Sequence, residues 1–381
     1  MKIALVIDDA LARPDGVQEY VRAIAAYLGA QGHTVHVICS GEAGEPPRGV
    51  AAVHSLARNV GVSFNGNALR SPLPARRSRV RALVRRERFD VIHVMSPHSP
   101  VLAGRVVREA RRAHGGEVRI VGTFVILPDS GTSDLGIRFL GRVLRRNLRL
   151  FDALCGLSGP AAHLAAEAYG LAAHAIPSPI DVDAMRAQAL ARPWHEPKNG
   201  RITVTFLGRL VERKGVLELI AALAELPPDA REAVAVRIGG RGPLGDEVRR
   251  AIGRAGLEDR VTLDGFIADA DKPGYLASAD LAVFPATGGE SFGVVLLEAM
   301  AAGSGAVLAG DNPGYAWTMG DPDAMVNPRD PSAFAASLAR LITEPERREE
   351  LHRRQQARVR DFDSAVVGAQ LEELYGLAPG G

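Results

Sequence analysis

The sequence predicts an α/β protein of two doubly wound domains, and three observations carry that expectation. The chain has 381 residues, more than one ordinary hydrophobic core organises, so two domains are the natural division. Short apolar runs alternate with stretches of helical apolar spacing through residues 3–124, and the alternation restarts at residue 202 and continues to residue 310. Strand, helix, strand in that order builds a parallel sheet with helices on its faces. Between the two series, IPSPIDVDAM and RPWHEPKNG interrupt the pattern over residues 176–200, a Pro-rich stretch that reads as a linker. The expected division is residues 1–178 and 179–354, with a charged helix over about 355–376 crossing back to the first domain.

Taken in order, residues 3–7 form an apolar run ending at Asp8, and Val17, Val21, Ile24, Ala25 and Leu28 follow at helical spacing. Strands are expected at residues 34–39, 90–95 and 118–124, with a helix through Val107. Gly16 falls at the start of the first helix, where a missing side chain allows either a plain turn or the approach of a phosphate to the helix N-terminus. Between Pro74 and Phe89 lies RRSRVRALVRRERF, in which seven arginines surround Val80, Leu83 and Val84. One face is apolar and the rest cationic, a pattern that suits an anionic membrane surface or a solvated face packed on the sheet. A second run, RFLGRVLRRNLRL at residues 138–150, repeats it.

In the second series, strands are expected at ITVTFLG (202–208), AVAVRIGG (233–240), VTLDGFI (261–267), LAVFP (281–285) and GAVLAG (305–310). Helices are expected at VLELIAALAEL, from Asp246, near Tyr275, and from about Ser291 within GGESFGVVLLEAMAAG (288–303). Glycine before a helix exposes unpaired N–H groups and the positive end of the macrodipole, a place for phosphate oxygens. Glu290 then sits at the mouth of this helix and Glu298 inside it, where a carboxylate needs hydroxyls or cations. Arg209 and Lys214 flank a loop just after a strand, the edge at which parallel sheets bind ligands; a guanidinium fork and a compact ammonium together suit a leaving diphosphate. GGRGPLGDE (239–247) is a weaker glycine loop, fit for a base or for a turn.

Composition narrows the function classes. Hydrophobic residues make up 46% and charged residues 24%, values of a soluble globular protein. Cys39 and Cys155 are the only cysteines, so there is no disulfide framework, no CxxC and no cysteine zinc spacing, and a reducing cytoplasm is the expected location. The run after Lys2 is too short for a signal peptide or a spanning helix. Residues 1–175 hold 23 basic and 14 acidic side chains, whereas the remainder holds 23 and 30, so the first half is the one suited to an anionic partner. Aromatic content of 5% and the lack of a recognised motif speak against nucleic acid.

The ordered set GVQEYV (16–21), GRLVERKG (208–215), GGRGP (239–243), SADLAVFP (278–285) and GGESFGVVLLEAMAAG resembles glycosyltransferase family 4 along nearly the whole chain. The resemblance implies the GT-B architecture: two Rossmann-like doubly wound domains facing a central cleft, with a nucleotide-sugar held mainly by the second. It is similar in particular to the actinobacterial phosphatidylinositol mannosyltransferases. That likeness implies retaining transfer from GDP-mannose to a lipid-linked or inositol-type acceptor by a peripheral protein on the inner face of the plasma membrane. It implies no tightly bound cofactor beyond the nucleotide-sugar co-substrate, with Mg2+ as a stimulant. Carried over by residue, it places Gly16, Arg209 and Lys214 on the diphosphate, Glu290 on the donor sugar and Glu298 on the ribose. Phe292, Gly293 and Val294 offer backbone N–H groups near them; Gly240 is a nucleotide-binding candidate from its strand-end glycine loop, fit for a base or for a turn. Arg209, Lys214 and Glu290 are thus the expected catalytic residues. Arg76, Arg77, Arg79, Arg81, Arg85 and Arg86 stand where those enzymes carry a membrane-binding segment.

One position departs from the family. Its usual TFH after the fourth strand is Thr123-Phe124-Val125 here, and in relatives that histidine reaches the donor sugar and borders the acceptor. Val125 is therefore the expected specificity position; His93, His98 and His114 lie nearby in sequence but not at the motif position, and such loop histidines are more often solvated. Two other readings remain beside the transferase: a catalytically impaired relative that binds nucleotide-sugar or lipid, favoured by Val125, and a GT-B sugar-nucleotide epimerase, for which basic amphipathic helices have no use.

Overall fold

The apolar runs of the first series become the strands of one parallel sheet. The structure, a computed structural model, describes residues 1–12, 16–64, 67–125, 147–170, 173–194 and 200–377. Strands β1 (Lys2–Val6), β2 (Thr34–Ser40), β3 (Val50–Ala57), β6 (Val91–Met95), β7 (Arg119–Phe124), β8 (Ala153–Gly156) and β9 (His174–Ala175) form a sheet of order β3-β2-β1-β6-β7-β8-β9. An antiparallel hairpin of β4 (Asn59–Phe64) and β5 (Asn67–Pro72) stands apart from it. In the centre, Leu5 pairs with Val37 on one side and His93 on the other. Four of the five β1 residues are fully buried, as expected where helices cover both faces of a parallel sheet and the strand reads as a continuous apolar run. The helix Gly16–Ala30 contributes Tyr20, Val21, Ile24, Ala25 and Leu28 to this core.

The second series gives β10 (Ile202–Leu207), β11 (Val234–Gly239), β12 (Val261–Gly265), β13 (Leu281–Phe284), β14 (Ala306–Gly310) and β15 (Met325–Val326), in the order β12-β11-β10-β13-β14-β15. Every pairing in it is parallel. In both sheets the order reverses beside the first strand of the series, between β1 and β6 and between β10 and β13. Those reversals matter for function, because the crevice beyond the carboxyl ends of such strands is where open parallel sheets hold ligands.

The chain divides into Met1–Pro179 with Ser364–Gly381, and Ile180–Asp363. Two expectations are corrected here. The stretch taken for a linker contains the helix Val182–Ala191, capped by the Asp181 side chain on the Ala184 N–H, and it belongs to the second unit. The return to the first unit begins at Ser364 rather than near residue 355: the helix Pro345–Arg358 is part of the second unit, with Leu351 and Gln355 buried in it. The Gln355 side-chain amide explains why, since it both donates to and accepts from the Val307 backbone of β14 at 2.8 Å.

The returning helix Ser364–Leu374 is fixed in the first unit by a buried polar row. Tyr375 Oη meets His93 Nδ1 at 2.8 Å, His93 Nε2 meets Thr123 Oγ1 at 2.5 Å, and Thr123 Oγ1 lies 2.9 Å from Cys155 Sγ. Burial pushes the His93 imidazole down to about 3 and the Cys155 thiol up to about 12, so both stay neutral. His93 is thus a core residue rather than a site histidine.

The arginine-rich segment forms the helix Arg77–Glu87 with Val80, Leu83 and Val84 buried, as its spacing requires. Two of the six arginines expected at a membrane surface, Arg77 and Arg81, also pair with a buried carboxylate. Glu109, on the helix Leu102–His114, is 2% exposed and accepts from Arg77 Nε at 2.7 Å, Arg81 Nε at 2.9 Å and Arg112 Nη1 at 2.7 Å. Arg76, Arg77, Arg79, Arg85 and Arg86 are all exposed, and Arg86 Nε also pairs with Glu87 at 2.8 Å. Burial alone would raise the Glu109 carboxyl; the hydrogen bonds from Arg81, Arg77 and Arg112 overcome it and bring it to about 2. Because the folded value lies below the ordinary 4.5, this stabilisation is complete above that pH and is lost as pH falls toward 2. Replacing Arg77 and Arg81 by glutamine strips charge from a buried acceptor, so thermal unfolding at neutral pH should show a loss of about 1–3 kcal/mol, and the difference from wild type should vanish in strong acid. Of the second basic run, residues 138–146 lie outside the described residues.

Candidate functional site

The loops at the β10/β13 reversal bring together charges distant in sequence. After β10 the chain runs through Gly208 and Arg209 into a 3-10 turn, Glu212–Lys214, closed by Gly215. Gly215 has φ +73°, and a Cβ there would stand 1.8 Å from the Pro285 carbonyl oxygen. Only glycine lets the turn lie against the end of β13. The backbone of Thr287 donates to the Arg213 carbonyl at 2.9 Å and locks the two loops. Lys214 Nζ consequently reaches Glu290 Oε1 at 2.7 Å, and the Arg213 guanidinium pairs with the same oxygen. The Glu290 side chain is 12% exposed and Lys214 19%. Arg209 is exposed beside them. Two cations on one carboxylate leave surplus positive charge beyond the carboxyl end of β10, a setting suited to an anion.

The helix that follows spans Val294–Ala302 and starts three residues later than the sequence suggested. Gly293 causes the shift: its φ is +94°, and a Cβ would fall 2.4 Å from Tyr315 Cε1. Among the described residues no side chain caps this N-terminus; the Leu296 N–H donates to the Gly293 carbonyl at 2.9 Å, and the N–H groups ahead of it face the end where a ligand can accept from a helix. Phe292 is 1% exposed and packs edge-on to Phe362 at 5.6 Å, so its ring is core, and its carbonyl accepts from the buried Thr318 hydroxyl at 2.5 Å. Glu298, in the second turn of the helix, accepts from Lys272 Nζ at 2.9 Å with 12% of its side chain exposed. Gly240, just beyond β11, donates its N–H to the Gly265 carbonyl at 2.6 Å.

In the first unit, the corresponding reversal lies between β1 and β6. Asp8, beyond β1, accepts from the Ala103 N–H at 2.8 Å and from the Ser99 hydroxyl, and burial raises its carboxyl above the usual range despite both bonds. A Cβ added to Gly16 would meet nothing within 4 Å among the described residues, so packing does not require glycine there. Val125 follows β7 and is 5% exposed. His98 departs from the expectation of a solvated loop histidine. Its ring stacks on Phe124 at 6.0 Å and 9°, and its Nδ1 is buried without a hydrogen-bond partner among the described residues. Burial pushes this imidazole below its usual range, leaving it neutral.

Arg213 and Lys272 were not selected from sequence. Arg213 stands inside the GRLVERKG loop beside Lys214, so its position was a signal; Lys272 has none, because it lies on a separate helix, Lys272–Ala277, and meets Glu298 only through the fold.

Comparison with known proteins gives the same architecture and a family. Residues 14–184 match the glycosyltransferase family 4 model and residues 189–358 the glycosyl transferases group 1 model. The phosphatidyl-myo-inositol mannosyltransferase of Mycolicibacterium smegmatis is 33% identical over 98% of this chain and 93% of its own length. That of Propionibacterium freudenreichii is 30% identical over 99% and 95%. A GDP-mannose-dependent alpha-(1-6)-phosphatidylinositol monomannoside mannosyltransferase of Mycobacterium tuberculosis is 27% identical over 91% and 90%. Among solved structures, Anabaena HepE in complex with UDP superposes with a TM-score of 0.73 at 20% identity, covering 99% of this chain and 100% of that one. Sucrose-phosphate synthase from Thermosynechococcus elongatus gives 0.73 at 21% identity, covering 98% of each chain. With two parallel-sheet α/β domains of the GT-B fold and relatives of this identity along its whole length, the chain belongs to glycosyltransferase family 4 and is a glycosyltransferase with mannosyltransferase relatives.

Proposed function

We propose that this protein transfers mannose from GDP-mannose, with retention of anomeric configuration, to an inositol-type phospholipid at the inner membrane face. The observation that carries the reading is the cluster of Arg213, Lys214 and Glu290 at the β10/β13 reversal, beside the exposed Arg209 and the uncapped N-terminus of Val294–Ala302. Cations and backbone N–H groups there would take the diphosphate as its bond to the sugar breaks. Glu290 would release its cations to it and turn toward sugar hydroxyls. Because these groups are placed before the reaction, they stabilise the departing charge without reorganising. Glu298 would accept from the ribose in the same manner. The names of the relatives support the donor and the acceptor class.

The test is direct. Purified protein with GDP-mannose and phosphatidylinositol vesicles should yield a mannosylated lipid whose anomeric configuration matches the donor; transfer from UDP-glucose in preference to GDP-mannose would overturn the donor assignment. A second reading, an impaired relative that binds donor without brisk turnover, is favoured by the apolar, buried Val125.

Among the described residues no helix is long and apolar enough to cross a membrane, so the lipid would be reached from the surface. The exposed Arg76, Arg79, Arg85 and Arg86 would supply attraction of about 1 kcal/mol each to an anionic leaflet, weakened by salt. Replacing these four by glutamine should abolish sedimentation with phosphatidylinositol-containing vesicles at low salt. The Arg77→Gln, Arg81→Gln pair should lose thermal stability more than vesicle binding. Equal sedimentation of the four-residue variant and wild type would remove the arginine helix from the membrane-binding role.

A further inference from the structure

At the other end of the first sheet, away from the strand ends discussed above, three potential ligands converge from three elements. His36 lies on β2, His54 on the edge strand β3 and Glu87 at the end of the arginine helix Arg77–Glu87. His36 Nδ1 and His54 Nε2 are 2.9 Å apart, and one ligand atom from each of the three residues lies within 4.8 Å of the others. His36 is 7% exposed, with the Phe89 ring edge-on to it at 5.4 Å. Their separation in the chain, at 36, 54 and 87, hides the set from any motif search.

We propose that His36, His54 and Glu87 form a binding site for one divalent transition-metal ion of the zinc class, which fastens the arginine-bearing helix and the edge strand to the sheet. Two imidazoles and a carboxylate are a common protein ligand set for such ions. The geometric adjustment is small. Two nitrogens at about 2.0–2.1 Å from a tetrahedral zinc sit about 3.3–3.4 Å apart, so the ring nitrogens need open by only about 0.4 Å. The electronic adjustment is also small. In the metal-free pair one ring donates its N–H to the other; on binding, that proton moves to the donor ring's second nitrogen, and both facing nitrogens present lone pairs with no net proton released. Burial already lowers both imidazoles below their usual range, so neither must first lose a charge.

Two neighbouring cations oppose a metal and must be weighed. Lys2 Nζ lies 3.1 Å from one Glu87 oxygen and Arg86 Nε 2.8 Å from the other. Their side chains are 34% and 68% exposed, so each pair is worth little and each cation can swing to solvent. The metal takes one carboxylate oxygen, and the second keeps one cation as an outer partner.

The experiment uses the full chain, stripped with chelator and titrated with Zn(II) and with Co(II) as a spectroscopic probe. One equivalent of Co(II) should bind and give the intense visible bands of a four-coordinate site. Zn(II) should displace it and raise the melting temperature in a way that EDTA reverses. His54→Gln and Glu87→Gln should each weaken binding at least tenfold while leaving the metal-free melting curve near wild type; His36→Gln, being buried, serves only as a supporting variant. Absence of stoichiometric binding, or equal binding and stabilisation in His54→Gln and wild type, would overturn the assignment and leave the pair as a plain histidine–histidine hydrogen bond.

Discussion

Lys214→Ala should lower kcat/KM for transfer from the nucleotide-sugar by about a hundred- to a thousandfold, the usual loss when one preplaced stabiliser of departing charge is removed. Lys214 and Arg213 are both held by Glu290 Oε1, so the carboxylate keeps two mutually repelling cations close at low cost. The diphosphate then replaces the carboxylate as their partner. This exchange makes the behaviour of Glu290 distinctive. Glu290→Gln removes the competitor for the cations, so free nucleoside diphosphate should bind as tightly as to wild type or more tightly, whereas the sugar-bearing donor should lose turnover. Arg209→Ala should weaken nucleoside diphosphate by about 1.5–3 kcal/mol, the worth of a charged hydrogen bond. Calorimetry with nucleotide alone, beside steady-state kinetics with donor, separates these effects. Unchanged affinity and turnover in Lys214→Ala and Arg209→Ala together would put the donor elsewhere.

Val125→His should raise transfer from a hexose donor, and wild type should either favour a donor that lacks the 6-hydroxyl or turn over GDP-mannose slowly. Val125 is 5% exposed and offers neither donor nor acceptor, so a hydroxyl pressed on it would be desolvated unpaired at about 1–3 kcal/mol. A 6-deoxyhexose or a pentose would escape that cost, and discrimination resting on one unpaired polar group can be large. His98 supplies a built-in comparison. Its ring stacks on Phe124, next to Val125, and its Nδ1 is buried without a partner among the described residues. The His98→Ala variant therefore reads out whether this neighbouring imidazole already serves the hydroxyl. If it does, His98→Ala alone lowers hexose transfer and Val125→His restores it. Brisk hexose transfer by wild type that neither substitution alters would refute the role given to Val125.

Most strands of both sheets were legible because parallel strands buried on two faces are largely apolar along their length, as in β1 and β14. The hairpin β4–β5 and the strands β3, β8, β9 and β15 were not. VAAVHSLA in β3 is half-exposed along an edge and carries small residues, so its apolar signal is weak. The helix Val182–Ala191 was hidden behind flanking prolines that read as a linker, although Asp181 is a recognisable N-cap. The start of Val294–Ala302 was misread by three residues because only the contact of Gly293 with Tyr315 shows that glycine in a left-handed conformation precedes the helix.

By itself the sequence determined the fold class, the family and the loops that carry the chemistry, since periodicity and glycine spacing are local properties written in consecutive residues. The tertiary structure decided which charges meet. Glu290 with Arg213 and Lys214, Glu298 with Lys272, Glu109 with three arginines, and His36 with His54 and Glu87 all join different elements. An arginine on an amphipathic helix looks the same in sequence whether it faces a lipid or a buried carboxylate. Coulomb and hydrogen-bond energies fall off over a few ångströms, so only the packing of one element on another fixes which of those two roles it has.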